Sequence, residues 1–129
     1  MIKVLVKKQS NYPVSTPKIK KRLQSFLLSK GIVSNAEVSV FIVGEKKMYE
    51  LAKKYLKENK VLHNVLSFPF SEGGEGFVNS PDEVLRLGDI VICYAKVLEE
   101  AQLEGVLLDD KIGELVEHGA MHLMGVHHD

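Results

Sequence analysis

The sequence predicts a single α/β (α+β) domain in which a small mixed sheet of about four strands is covered by helices. Segments with strand-like alternation and segments with helical spacing of apolar residues follow one another in the order β-α-β-α-β-β-α-α. No internal repeat or linker-like stretch divides them, so one domain is expected over residues 1–129. The length of 129 residues and a hydrophobic content of 45% suffice for a proper core.

The first half of the chain predicts two strand–helix units. Residues 2–7 (IKVLVK) alternate and are rich in β-branched side chains, and residues 37–43 (EVSVFIV) form the strongest strand pattern in the chain. Between them, apolar side chains recur with helical spacing over residues 19–27. A second helix is expected over residues 45–57 for the same reason.

The second half predicts two strands followed by two helices. Residues 64–70 (NVLSFPF) and 87–94 (LGDIVICY) read as strands, separated by a loop at residues 71–83 that is rich in Gly, Ser and acidic residues. Residues 95–105 form a helix that ends in glycine, and residues 109–124 form the last helix. His118 and His122 lie within this last helix, which we expect to bind a metal ion through them.

Charge is distributed unevenly although the formal net charge is zero. Residues 1–60 hold 14 of the 17 Lys and Arg residues, whereas residues 61–129 hold 13 of the 17 Asp and Glu residues. Such asymmetry can indicate a basic face for a polyanion. Because halves of a sequence are not halves of a folded surface, we expect most of these charges to pair or to be solvated.

Compartment and membrane association are judged from what the sequence lacks. No apolar run approaches the length of a membrane span, and the N-terminus has no signal-peptide pattern. Cys93 is the single cysteine, which excludes an internal disulfide. A cytoplasmic protein without a membrane partner is therefore expected.

Four of the five histidines lie in the last twelve residues, HGAMHLMGVHHD. His118 and His122 are four residues apart, so on a helix they lie on one face, one turn apart. Gly125 can end the helix and turn the chain, which would bring His128 to the same point. Three histidine nitrogens leave a tetrahedral ion one open position, the arrangement of a catalytic zinc. His127 remains open as a substitute ligand, a neighbour of the ligands, or a surface residue.

The same histidine spacing occurs in one class of zinc proteases. Those enzymes need a glutamate directly after the first histidine to accept a proton from the zinc-bound water. Gly119 occupies that position and cannot transfer protons, while Glu117 projects from a different side of the helix. A standard zinc protease is therefore not expected.

Three segments together resemble the YbeY family of bacterial endoribonucleases and rRNA maturation factors. The C-terminal run resembles the family signature HGxLHLxGYDH, residues 64–70 look like its (D/N)VLSFPF strand, and residues 87–90 look like its LGDI strand. Their order and spacing agree, so the resemblance covers nearly the whole chain.

The resemblance implies a zinc-dependent endoribonuclease that cleaves single-stranded RNA. It further implies one Zn²⁺ per chain held by His118, His122 and His128, with rRNA and the small ribosomal subunit as partners. The expected process is maturation of the 3′ end of 16S rRNA, together with ribosome quality control. A cleft between a short sheet and the histidine helix is implied as the site.

Two departures from the family pattern affect the expected site. Lys57 stands where the family carries an arginine taken to be important for activity; a lysine offers a point charge rather than a planar two-pronged donor. The segment GYDH is replaced by residues 125–128, GVHH.

Further candidate residues are assigned from their chemistry. Lys57 could stabilise charge on the five-coordinate phosphorus, and His63 could act as an acid, a base or an RNA contact. Ser67 and Asp89 could orient the substrate or the histidines, since a metal-bound imidazole needs an acceptor on its other nitrogen. The expected catalytic set is thus Lys57, His118, His122 and His128, and the expected substrate contacts are Lys57, His63 and Ser67.

Two alternatives stay open at this point. The protein could be a non-catalytic ribosome-assembly or RNA-binding factor whose zinc is structural, as the lysine at position 57 suggests. It could instead be a metal-dependent hydrolase of another substrate, such as a small phosphoester.

Overall fold

A computed structural model describes residues 1–70 and 84–125, which form one four-stranded sheet and four helices. The predicted loop at residues 71–83 and the histidines His127 and His128 lie outside the described residues. The strands are β1 (Ile2–Lys8), β2 (Ala36–Val43), β3 (Val65–Pro69) and β4 (Leu85–Cys93), and the helices are α1 (Thr16–Ser29), α2 (Glu45–Leu56), α3 (Tyr94–Glu104) and α4 (Leu108–Leu123).

The sheet has the strand order β1-β2-β4-β3, in which the first three strands are parallel and β3 runs antiparallel to β4. This mixed sheet confirms the predicted fold class and the predicted order of elements. In the part of the chain that is described, β3 pairs with β4 alone and so forms one edge of the sheet.

Helices cover both faces of the sheet and create two separate apolar cores. On one face, α1 and α4 pack against alternate side chains of β2 and β4, among them Val40 and Ile90. On the other face, Met48 and Ala52 of α2 pack against Val91 and its neighbours. This division explains the alternation in the strands, because every second side chain faces the same core.

A β-bulge interrupts β4 near its start. Arg86 pairs with Glu37 and Gly88 pairs with Val38, so Leu87 is the extra residue. Gly88 has a φ of +135°, and a Cβ atom at this position would lie 2.2 Å from the carbonyl oxygen of Phe68. Glycine is required here because β3 approaches the backbone of β4 so closely.

Ion pairs between the two halves of the chain hold α1 against α4. Arg22 Nε donates to Glu117 Oε2 over 2.7 Å, and Lys18 Nζ lies 3.8 Å from Asp109 Oδ2. Part of the basic half therefore pairs with the acidic half, as expected. The lysines of residues 45–60 behave differently: none of the six forms an ion pair with another described residue.

Candidate functional site

The candidate site is a groove of about 510 Å³ between the edge strand β3 and helix α4. Side chains at alternate positions of β3 point into it, since Val65 and Ser67 pair with Ile92 and Ile90, which face the α4 core. The opposite wall is the exposed side of α4. The residues that line the groove are Asn64, Val65, Leu66, Ser67, Glu114, Leu115, His118, Gly119 and His122.

His118 and His122 come together on the groove wall, one helical turn apart. Their Nε2 atoms are 3.1 Å apart, and the two rings meet edge to face at 4.6 Å. Two nitrogens bound to one tetrahedral zinc at about 2.0–2.1 Å would lie about 3.3 Å apart. The pair can therefore hold one cation with little movement.

The third expected ligand, His128, lies outside the described residues. Among residues 1–70 and 84–125 no group of three His, Cys, Asp or Glu side chains could hold a metal ion. Gly125, two residues after the end of α4, has a φ of +82°, the left-handed conformation expected for the turn. Cys93 is fully buried, and burial raises the pKa of its thiol, which disfavours the thiolate a metal would need.

Gly119 allows α4 to lie close to the sheet. A Cβ atom at this position would be 2.9 Å from Cγ2 of Ile90, which is fully buried. A glutamate here, as in zinc proteases, would have to displace the core. The Glu117 carboxylate is held by Arg22 of α1, so it does not act in the groove.

The structure separates the remaining sequence candidates. Ser67 lines the groove opposite the histidines. Lys57 is exposed at the end of α2 with a φ of +58°, and His63 Nε2 is hydrogen-bonded to Glu58 Oε1; neither lines the groove. The hypothesis that Asp89 orients a histidine is wrong, because Asp89 pairs with Phe68 and both face the α2 side of the sheet. Its other expected role, orienting the substrate, stays a prediction.

Two groove residues were missed by the sequence reasoning. Glu114 precedes His118 by four residues and His122 by eight, so the same helical spacing that selected the histidines also places Glu114 on their face. Asn64, whose Nδ2 donates to Glu100 Oε1 over 2.8 Å, lines the end of the groove. Nothing in its sequence context marks it beyond its position before β3.

We expect Gly119→Ala to destabilise the fold by about 1–2 kcal/mol, because overpacking against Ile90 exceeds the gain in helix propensity. Chemical denaturation of Gly119→Ala, Ile90→Ala and the double variant measures the coupling. The double variant should be less destabilised than the sum of the two single variants, since Ile90→Ala vacates the space that the new methyl group needs. Strict additivity would contradict the close contact.

Comparison with known proteins identifies the family. The family model described as Endoribonuclease YbeY matches residues 5–129. The chain belongs to the YbeY endoribonuclease family. The resemblance inferred from the three sequence segments is thereby confirmed.

Individual members of the YbeY family match over most of their length. Endoribonuclease YbeY of Macrococcus caseolyticus is 37% identical over 112 residues, which cover 87% of this chain and 71% of that protein. Endoribonuclease YbeY of Aquifex aeolicus is 34% identical over 127 residues, which cover 98% and 78%. The solution structure of TM1509 from Thermotoga maritima has the same fold, with a TM-score of 0.59 and 23% identity over 98% of this chain and 75% of that one.

Within the described residues, no helix combines the length and the apolar character needed to cross a membrane.

Proposed function

We propose that this protein is a zinc-dependent endoribonuclease that cleaves single-stranded RNA in the groove between β3 and α4. Its expected role is maturation of the 3′ end of 16S rRNA on the small ribosomal subunit, with ribosome quality control, in the cytoplasm. Membership of the YbeY family supports the reaction. The observation that carries the proposal is the 3.1 Å separation of the His118 and His122 Nε2 atoms on the groove wall.

We assign His118, His122 and His128 as the ligands of one zinc ion. The first two fit the ion by donor chemistry and separation, and the third is assigned from its spacing and the turn at Gly125. When bound, zinc would supply a Lewis acid for a phosphodiester oxygen and a water of lowered pKa.

Groove side chains can position the substrate and move protons. The Ser67 hydroxyl lies on the wall opposite the histidines and can donate a hydrogen bond to a phosphate oxygen. The Glu114 carboxylate lies on the histidine face and can accept a proton from an attacking oxygen. It forms an ion pair with Lys111 at 3.1 Å while its side chain stays 63% exposed, so it remains accessible to substrate.

Helix α2 and the residues after it offer a surface for the RNA backbone. The six lysines of residues 45–60 lack ion pairs with other described residues, so their charge is available to phosphates. Lys57 does not line the groove, so we assign its long, exposed side chain to reach the reacting phosphate once RNA is bound and to stabilise its charge there. We assign His63 as a further contact to RNA, because it precedes the groove strand β3.

The test pairs metal analysis with cleavage of a single-stranded RNA from the 3′ region of 16S rRNA. Wild-type protein should bind one zinc per chain, and a chelator should stop cleavage until zinc is restored. Lys57→Gln should lower kcat by about tenfold or more, whereas Lys57→Arg should retain activity or raise it, because arginine supplies the same charge with a second donor. Lys96→Gln, which removes a lysine on α3 paired with Glu99, serves as the control.

A non-catalytic ribosome-assembly factor is the second candidate, and the lysine at position 57 is the observation that favours it. It predicts binding to the small subunit without turnover, even for Lys57→Arg with zinc present. Detectable zinc-dependent cleavage by the wild-type protein would exclude it.

A further inference from the structure

A second pocket lies on the face of the sheet opposite the histidine groove. It has a volume of about 310 Å³, near the lower end of the range of small-molecule sites. One α2 face, made of Lys47, Leu51 and Tyr55, forms one side, and Phe41, Phe68 and Asp89 of the sheet form the other. Among the described residues, His118, His122 and Ser67 do not line this pocket, so the cleavage proposed for the groove does not account for it.

The lining of the pocket combines aromatic side chains with the carboxylate of Asp89. The rings of Tyr55 and Phe68 lie 5.0 Å apart at 55°, and Lys54 lies 5.1 Å from the centre of the Tyr55 ring. The side-chain carboxylate of Asp89 forms no hydrogen bond or ion pair with another described residue. A ligand with adjacent donors could supply the partners that this carboxylate does not find among the described residues.

The side chain of Asp89 is exposed at the mouth of the pocket, and its surroundings disfavour the ionised form only in part. Partial desolvation against the apolar wall raises the pKa of Asp89 above its ordinary value. A carboxyl whose pKa is raised on folding is stabilised when protonated, so above that pKa its charge lowers the stability of the folded chain. The position of the carboxylate in the lining of the pocket, where it stays exposed, makes it accessible to a ligand.

We propose that this pocket binds a nucleobase of the RNA substrate and prefers guanine. Guanine presents two adjacent N–H donors on its Watson–Crick edge, which match the two oxygens of one carboxylate, and its ring can stack on the aromatic side chains. This proposal rests on the proposed ribonuclease function and adds a base-selective contact to it.

The charges around the pocket favour RNA over a basic protein segment. A cationic peptide could pair with Asp89, but it would approach along α2, whose lysines would repel it. A polynucleotide gains from the same lysines, because its phosphates are attracted to them while one base reaches the carboxylate. Lys47 stands at the pocket itself and Lys54 lies against Tyr55.

The edge strand β3 joins the pocket to the groove. Ser67 faces the groove and the next residue, Phe68, faces the pocket. RNA that crosses the edge of β3 could therefore place a phosphodiester beside the histidines and a neighbouring base against Phe68. The pocket would select where along a single strand the cut is made.

The test measures binding of uncleavable 2′-O-methyl tetranucleotides UUGU, UUAU, UUCU and UUUU to the zinc-loaded full chain by fluorescence anisotropy. UUGU should bind about tenfold more tightly than UUUU, in line with the discrimination of one bidentate contact. Asp89→Asn should abolish this preference, because its amide places a donor where guanine needs an acceptor. Tyr55→Leu should weaken binding of all four severalfold, since stacking is tolerant of base identity.

Asp110→Asn, which removes the same charge at an exposed position on α4, should leave the preference intact. Equal binding of all four tetranucleotides by the wild-type protein overturns the proposal. So does an equal gain for all four in Asp89→Asn, which would show that the carboxylate only repels phosphate. Because the oligonucleotides are not cleaved, this result is independent of catalysis: cleavage without a guanine preference refutes the pocket alone, and a preference without cleavage refutes the proposed reaction alone.

Discussion

Replacing His122 with alanine is expected to remove both the bound zinc and the cleavage of RNA. The variant leaves His118 without the nitrogen that lies 3.1 Å away, so any cation loses one of its ligands. Loss of a partner outside the ligand set typically costs 10–100-fold in metal affinity or activity, so loss of a ligand should exceed about 100-fold. Zinc content after dialysis and the rate of RNA cleavage are measured on the same sample.

The control for this experiment is Gln102→Ala, which shortens an exposed side chain on α3. It should bind one zinc and cleave RNA at the wild-type rate. His118→Ala should match His122→Ala in both measurements, because neither histidine alone completes the site. An active, zinc-loaded His122→Ala protein would disprove the proposed site.

Of the substitutions Gly88→Ala, Gly105→Ala and Gly119→Ala, the first is expected to destabilise the fold most. The new Cβ would lie 2.2 Å from the Phe68 carbonyl oxygen and 2.9 Å from the Phe70 nitrogen, and backbone atoms cannot rotate away as a side chain can. Overpacking and the positive φ each cost about 1–3 kcal/mol, so the total loss should exceed about 2 kcal/mol. The free energy of unfolding from urea denaturation measures it.

Gly105→Ala separates the two contributions in Gly88→Ala. Gly105 also has a positive φ, +71°, but a Cβ there would have no atom within 4 Å. This control therefore reports the conformational cost alone, about 1 kcal/mol. If both variants lost the same stability, the close approach of β3 to Gly88 would be incorrect.

Sequence patterns predicted the helices and strands well because each of these elements depends mainly on the residues within its own segment. The helix expected at residues 109–124 is observed at Leu108–Leu123, and the strand expected at residues 37–43 is observed at Ala36–Val43. Strand β4 begins two residues earlier than expected, at Leu85, because it pairs there with Ala36 of β2. The spacing of apolar residues within a segment does not show which strands pair with one another. The strand order could not be predicted for the same reason.

The part of the candidate site that lies on helix α4 could be predicted from the sequence. The part that depends on which face of the sheet a residue occupies could not. The spacing of His118 and His122 fixes their proximity, since helix geometry alone brings them together. Asp89 was expected to orient the substrate or a histidine, but alternate residues of a strand face opposite sides of the sheet, and Asp89 lies on the side away from the histidine groove. Glu114 could have been found by extending the histidine spacing backwards.

Because the thiol of Cys93 is buried, its reaction with an alkylating reagent can report opening of the fold. It is the one cysteine in 129 residues, and its side chain is out of contact with solvent between β4 and α2. An alkylating reagent can reach it only when the sheet separates from that helix, because the thiolate is the reactive species and needs water around it. The rate of alkylation in native buffer therefore reports how often helix α2 separates from the sheet.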